Sequence, residues 1–242
     1  MLRTWTLCFL LAWAVALLAQ PDTLTFFDRS RERAVPVALY HRGPITSDQQ
    51  LVLFSHGYGE NQPGSYRAYS YLADALAEAG YMVVSIQHEL PTDDPLDFNG
   101  PARVVRMPNW NRGVENIRFV MNEVRARFPQ LAYAPVTLIG HSNGGDMSVL
   151  FSHEHPEAIA KVITLDHRRM PILRAETPRT YTLRSSDQPA DEGVLPTDEE
   201  ARKHLLHVVY LENTPHNNMD DDADPRQRAE IIAHVLSFLQ EP

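Results

Sequence analysis

The chain has 242 residues, 43% of them hydrophobic and 22% charged, enough for one sizeable globular domain with a buried core. A formal net charge of −9 argues against nucleic acid or an anionic membrane surface as the main partner. The single cysteine, Cys8, lies near the start, so residues 21–242 offer no disulfide, no cysteine metal site and no cysteine nucleophile.

Arg3 opens a short positive start, and Trp5 to Ala19 is apolar apart from Thr6, until Gln20-Pro21-Asp22 breaks the run. This is the shape of a signal peptide over residues 1–20, too short for a comfortable membrane span. Residues 21–242 then form the expected single domain, secreted or periplasmic, with no stable membrane span once the leader is removed. Leu17 makes the cleavage site imperfect, so an uncleaved anchor is the alternative.

Thr23–Phe27 and Ala34–Tyr40 flank the polar turn 28–33 and predict an edge hairpin. Leu51–Phe54 is a short buried strand ending in Ser55-His-Gly-Tyr-Gly59. Tyr66–Ala79 predicts a helix stopped by Gly80, and Tyr81–Ile86 the next strand. Glu89–Trp110, with four prolines, predicts a long irregular connection of the kind that is more often functional than decorative. Asn111–Phe128 predicts an amphipathic helix. Val136-Thr-Leu-Ile runs as a strand into Gly140-His-Ser142-Asn-Gly144, with a helix after it. Lys161–Leu165, Thr180–Arg184 and His207–Leu211 predict further strands, and Pro225–Leu239 a closing helix. Strands alternating with helices predict an α/β fold with a mostly parallel sheet and helices on both faces. Ligands of such sheets bind beyond the carboxyl ends of the strands. Every candidate chemical residue sits at such an end.

The most specific signal is Gly140-x-Ser142-x-Gly144 between a strand and a helix. Only missing side chains let that turn be tight enough to lift a serine hydroxyl above the strand ends. A nucleotide-binding turn is disfavoured, because no Gly-x-Gly-x-x-Gly or Gly-Lys-Ser/Thr accompanies it. Ser142 is the candidate nucleophile, and a serine hydroxyl needs a general base within reach. Among eleven histidines, His216 stands in the loop after the last strand. His141 should point away from the hydroxyl; His153, His155, His204, His207 and His234 read as helix-end, surface or packing residues. The acid that orients the imidazole stays open: Asp187 after the penultimate strand is placed first, Asp166 at the end of Ile163-Thr-Leu-Asp second, Asp191 third. The backbone N–H groups of Asn143 and Tyr58 are the expected oxyanion donors.

The acidic run Asp220-Asp-Asp222 with Asp224 lacks calcium-loop spacing and reads as a solvated turn, and no His-Glu-x-x-His is present. No metal or cofactor is expected. Arg103, Arg106, Arg168, Arg169 and Arg184 cluster in predicted loops and strand ends on the active-site side, balancing aspartates or binding an anionic group, with the structural role favoured.

Leu51-Val-Leu-Phe-Ser-His-Gly-Tyr-Gly, Gly140-His-Ser-Asn-Gly-Gly and Thr214-Pro-His-Asn-Asn-Met together resemble the α/β-hydrolase superfamily. Phe26-Phe-Asp-Arg-Ser-Arg and Val84-Ser-Ile-Gln-His88 resemble its branch of platelet-activating-factor acetylhydrolases and dienelactone hydrolases. The resemblance implies the α/β-hydrolase fold over about residues 23–240, with no large cap domain. It also implies cofactor-free cleavage of a small carboxylic ester through an acyl-serine, with Ser142 and His216 in the family's order of serine first and histidine last. The acetylhydrolase pattern favours Asp166 as acid. The dienelactone pattern favours Asp187, although that group uses a cysteine where Ser142 stands. An amidase or peptidase on the same residues, or a catalytically silent binding protein of the same fold, are the alternative expectations.

Overall fold

The computed structural model of the chain describes residues 21–131 and 135–241. The expected leader at 1–20 lies outside the described residues. β1 (Asp22–Asp28) and β2 (Arg33–Tyr40) pair antiparallel as the expected edge hairpin. The Asp28 carboxylate closes its turn, accepting from Ser30 N–H at 2.9 Å and from Arg31 Nε at 2.6 Å.

The remaining strands are β3 (Leu51–Ser55), β4 (Met82–Ile86), β5 (Val136–His141), β6 (Lys161–Leu165), β7 (Arg179–Arg184) and β8 (His207–Tyr210). One eight-stranded sheet results, in the order β1-β2-β4-β3-β5-β6-β7-β8, parallel from β4 onward. β3, β4, β5 and β6 are buried along their whole length, which is why three of them read as continuous apolar runs rather than alternating ones.

The side-chain alternation of each strand feeds two cores. Leu51, Leu53, Leu138 and Val162 point to the face covered by α3 (Met107–Arg127) and α4 (Ser142–Glu154). Val52, Phe54, Ile139 and Ile163 point to the face covered by α1 (Ser70–Glu78) and α6 (Pro225–Gln240). Helices therefore lie on both faces, and no connection among the described residues inserts a cap domain.

Three boundaries differ from the sequence reading. The helix expected from Tyr66 is a 3-10 turn at Ser65–Arg67 followed by α1, whose first N–H groups are taken by the Asp221 carboxylate: Ser70 N–H at 3.1 Å and Tyr71 N–H at 3.0 Å. The connection 89–110 is not irregular throughout, since α2 (Ala102–Val105) and the first turn of α3 occupy its end. Pro101 and Pro108 stand at helix starts, where a proline lacks only an N–H that no carbonyl would have received. Before β8, α5 (Asp198–His204) begins with a capping box of Thr197 and Glu200. The acidic run at 220–224 is absorbed by backbone: Asp221 caps α1, and Asp224 caps α6 through Arg226 and Gln227 N–H.

Candidate active site

β5 delivers Ser142 to the start of α4 through a turn that leaves no room for side chains. A Cβ on Gly140 would lie 2.4 Å from the Gly144 carbonyl oxygen, and one on Gly144 2.3 Å from that of His56. Ser142 itself has φ +49°, the left-handed region a non-glycine residue occupies only under constraint. Its Oγ lies 2.9 Å from His216 Nε2. The first N–H groups of α4 have no intrahelical acceptor, so the helix offers its positive end to this position.

His216 opens a short 3-10 turn after β8 and is buried. Its Nδ1 lies 2.5 Å from Oδ2 of Asp166, which follows β6 directly. Asp166 is fully buried and, like Ser142, has a positive φ, +53°. It accepts from Ser185 N–H at 3.0 Å and Ser185 Oγ at 2.8 Å, and Arg184 Nη2 stands 2.7 Å from Oδ1. Burial alone would raise the Asp166 carboxyl, but the His216 hydrogen bond, the Arg184 charge and the Ser185 donors outweigh it and hold it below the usual range. The carboxylate is thereby kept ionised beside the imidazole.

This corrects the first choice of acid. Asp187 lies three residues past β7, and its Oδ1 accepts from the backbone N–H of His216 at 2.7 Å rather than from the ring. Asp191 is further out and pairs with Arg169. The residue whose backbone turns its carboxylate toward the imidazole is Asp166, at the end of the strand next to β5.

A second chain of contacts holds the turn after β3. Gly57 N–H donates to the Tyr69 hydroxyl at 3.1 Å, and that hydroxyl lies 2.7 Å from His141 Nδ1. His141 Nε2 is 3.1 Å from the His216 carbonyl oxygen and must donate to it, so Nδ1 accepts from Tyr69. Burial, then the neighbouring His216, push the His141 pKa down to about 3, so the ring is neutral. Both of its ring nitrogens are engaged by groups other than the Ser142 hydroxyl. Gly57 N–H is thus occupied, and Tyr58 is the next residue along the turn. Asn143 is held by its side chain: Oδ1 accepts from Trp110 Nε1 at 2.7 Å, while Nδ2 donates to Asn109 Oδ1 at 2.8 Å and to the buried Glu89 at 3.3 Å. Tyr69, Trp110, Asn109, Glu89 and Ser185 were not singled out from sequence, since nothing local marks residues that act across the fold.

Ser142 and His216 open onto a cleft of about 390 Å³ lined also by Tyr58, Tyr69, His141 and Asp220. A larger open depression of about 650 Å³ borders Asp187 and Tyr210 on the far side of β7, but neither Ser142 nor His216 lines it. Among the described residues no group of three or more His, Cys, Asp or Glu side chains is placed to hold a metal ion. No helix among them is long and apolar enough to cross a membrane. Of the five arginines, Arg184 pairs with Asp166, Arg169 pairs with Asp191, and Arg103 is exposed on α2. Arg106 and Arg168 are partly buried.

The family model described as serine aminopeptidase, S33, matches residues 46–165. The fold is similar to dienelactone hydrolase from Anabaena variabilis, with TM-score 0.59 and 18% identity, over 89% of this chain and 95% of that one. It is also similar to a lidless α/β serine hydrolase from Xanthomonas campestris, with TM-score 0.58 and 16% identity over 93% and 97% of the two chains. A third likeness is esterase 2 of Thermogutta terrifontis, with TM-score 0.61 and 12% identity over 93% and 97%. No curated protein sequence matches. Fold and family match agree on an α/β-hydrolase fold, with an eight-stranded sheet and no cap domain among the described residues.

Proposed function

We propose that the protein is a serine hydrolase that cleaves a carboxylic ester through an acyl-Ser142 intermediate. The observation that carries this reading is the unbroken hydrogen-bonded line from Ser142 Oγ through His216 to Asp166, 2.9 and 2.5 Å in its two links. His216 Nε2 takes the serine proton as Oγ attacks the ester carbonyl. The oxyanion is received by the backbone N–H groups of Asn143 and Tyr58. The imidazolium is stabilised by Asp166 and gives its proton to the departing alcohol. A water then takes the alcohol's place, loses a proton to His216 and releases the acid from Ser142. Asp166 stays ionised throughout, held so by Arg184 and Ser185, and Asp187 fixes the main chain that carries the imidazole. The apolar leader supports export to a secreted or periplasmic location, which N-terminal sequencing of the exported protein tests.

The family description as a serine aminopeptidase favours a second reading, amide cleavage by the same residues. One experiment addresses both. Wild type and Ser142→Ala are compared on a short-chain aryl ester and on the anilide of the same acid. Ester turnover that disappears in Ser142→Ala supports the esterase reading. Turnover of the anilide at least equal to that of the ester favours the peptidase-like one, and turnover undiminished in Ser142→Ala removes both.

A further inference from the structure

The turn after β3 has glycine on both sides of Tyr58, so the local sequence does little to stop the Gly57–Tyr58 peptide from rotating. That peptide is planar and trans, and its carbonyl and its N–H point in opposite directions. Whatever fixes the Gly57 carbonyl therefore aims the Tyr58 N–H. His56 fixes it. The Nε2 of its ring accepts from His88 N–H at 3.1 Å, which leaves the ring proton on Nδ1, 2.6 Å from the Gly57 carbonyl oxygen. The neighbouring groups are held separately: Gly57 N–H by Tyr69, and the Tyr58 hydroxyl by Leu96 N–H at 3.0 Å.

The His56 ring is itself set against a buried carboxylate. Glu89 follows β4 by three residues and is 1% exposed. Its Oε2 lies 3.6 Å from His56 Nδ1 and has no hydrogen-bond partner among the described residues. Its Oε1 accepts from Asn143 Nδ2 at 3.3 Å. One side chain thus stands between the ring that aims the Tyr58 N–H and the side chain of the residue that carries the other donor. The two turns are packed back to back here, since a Cβ on Gly144 would lie 2.4 Å from the Ser55 carbonyl oxygen. A donor at Nε2 and a carboxylate beside Nδ1 select the same tautomer of His56, the one that donates to Gly57. A carboxylate buried with so few donors is unfavourable, and a residue that only filled this space would be apolar or an amide.

We propose that Glu89 is a positioning residue for the oxyanion site. Through His56 it sets the Gly57–Tyr58 peptide, and through the Asn143 side chain it sets the peptide that follows Ser142. The inference rests on the hydrolase reading above, with the N–H groups of Asn143 and Tyr58 as donors. Glu89 touches no reacting atom, so its effect is confined to the steps in which the ester carbonyl becomes an oxyanion.

Glu89→Gln tests it, because the variant keeps the shape but turns an amide NH₂ toward one of the two groups the carboxylate serves. Wild type and variant are compared on a short-chain aryl ester, with turnover expressed per folded molecule. The expected result is a kcat about 10- to 100-fold lower with KM within about threefold. Inhibition by an alkyl trifluoromethyl ketone, whose adduct with Ser142 places an alkoxide in the same site, should weaken in parallel with kcat/KM. A second pair of variants examines the relay. His56→Asn keeps an NH₂ near the place of Nδ1 and should retain at least ~10-fold more kcat than His56→Leu. Should Glu89→Gln not fold, this pair decides, since the carboxylate reaches Tyr58 only through that ring. A kcat of Glu89→Gln within about threefold of wild type, a loss carried by KM with ketone inhibition unchanged, or equal kcat in the two His56 variants overturns the positioning role. A wild type that turns over neither ester nor anilide sinks the hydrolase reading and this inference with it, whereas an active wild type with an indifferent Glu89→Gln sinks the inference alone.

Discussion

At the scale of single residues, the division of labour among three aspartates is the sharpest consequence of the site. Asp166 touches the imidazole, Asp187 touches the main chain of the same histidine, and Asp191 touches neither. Removing the orienting carboxylate as an amide can lower kcat on the order of 10⁴ while leaving geometry intact. Asp166→Asn should therefore show that kinetic loss on an aryl ester, with Asp187→Asn within about tenfold of wild type. The opposite ranking would place the acid in the loop after β7, at Asp187. Tyr69 gives a second test. Tyr69→Phe leaves Gly57 N–H and His141 Nδ1 without their shared hydroxyl, at about 1–3 kcal/mol for groups buried this deeply. Both stability and kcat should fall. A lower melting temperature with unchanged kcat would mean that the turn after β3 does not depend on this link.

Elements are fixed partly by groups far from the cleft. The Lys161 ammonium at the start of β6 donates to the carbonyls of Phe238 and Leu239, each at 2.9 Å, and to that of Glu241, satisfying the last turn of α6 with a cation where the helix dipole favours one. Lys161→Met should cost about 1–3 kcal/mol in chemical denaturation while the folded enzyme turns over normally. Equal stability of variant and wild type would show that water replaces the ammonium. The same scale explains what could be read from sequence. The turn at Gly140–Gly144 was legible because its requirement is local, two missing side chains between a strand and a helix. The α5 helix was equally legible in Thr197 and Glu200 and was overlooked. The contact of Asp166 with the imidazole was legible only in part: the acetylhydrolase pattern favoured it, but the residues alone placed Asp187 first, because the contact depends on the left-handed backbone at Asp166 and on Arg184 and Ser185 arriving from the neighbouring strand. The contacts from Trp110, Asn109 and Glu89 to Asn143 join segments tens of residues apart that no short pattern connects.

For the molecule as a whole, buried ionisable groups set the pH range of stability. Burial holds His141 and His167 at about 3 and His88 well below its ordinary value, so all three fold as neutral rings. A folded pKa below the unfolded one gives stability that is present above ~6.5 and is lost as pH falls, because unfolding then takes up protons. Asp146 has the opposite sign. Burial raises it to about 6, so it favours folding below its unfolded value and loses that contribution as pH rises through 6. Between pH 7 and 5 His141 and His167 each remove about 2 kcal/mol, His88 acts in the same direction, and Asp146 restores about 1, so the histidines decide the sign. The protein should be several kcal/mol less stable at pH 5 than at pH 7 in urea melts. Asp146→Asn should steepen that decline, since it removes a contribution of opposite sign. Stability that holds or increases at pH 5 would mean that these rings are hydrated or charged in the fold.

The central claim, that Ser142 is an activated nucleophile, is tested most directly by reaction with a fluorophosphonate followed by peptide mapping. The account predicts a single adduct, on Ser142, that forms in wild type, is nearly abolished in His216→Ala and is absent from Ser142→Ala. An adduct on any other residue, or undiminished labelling of Ser142→Ala, would contradict it.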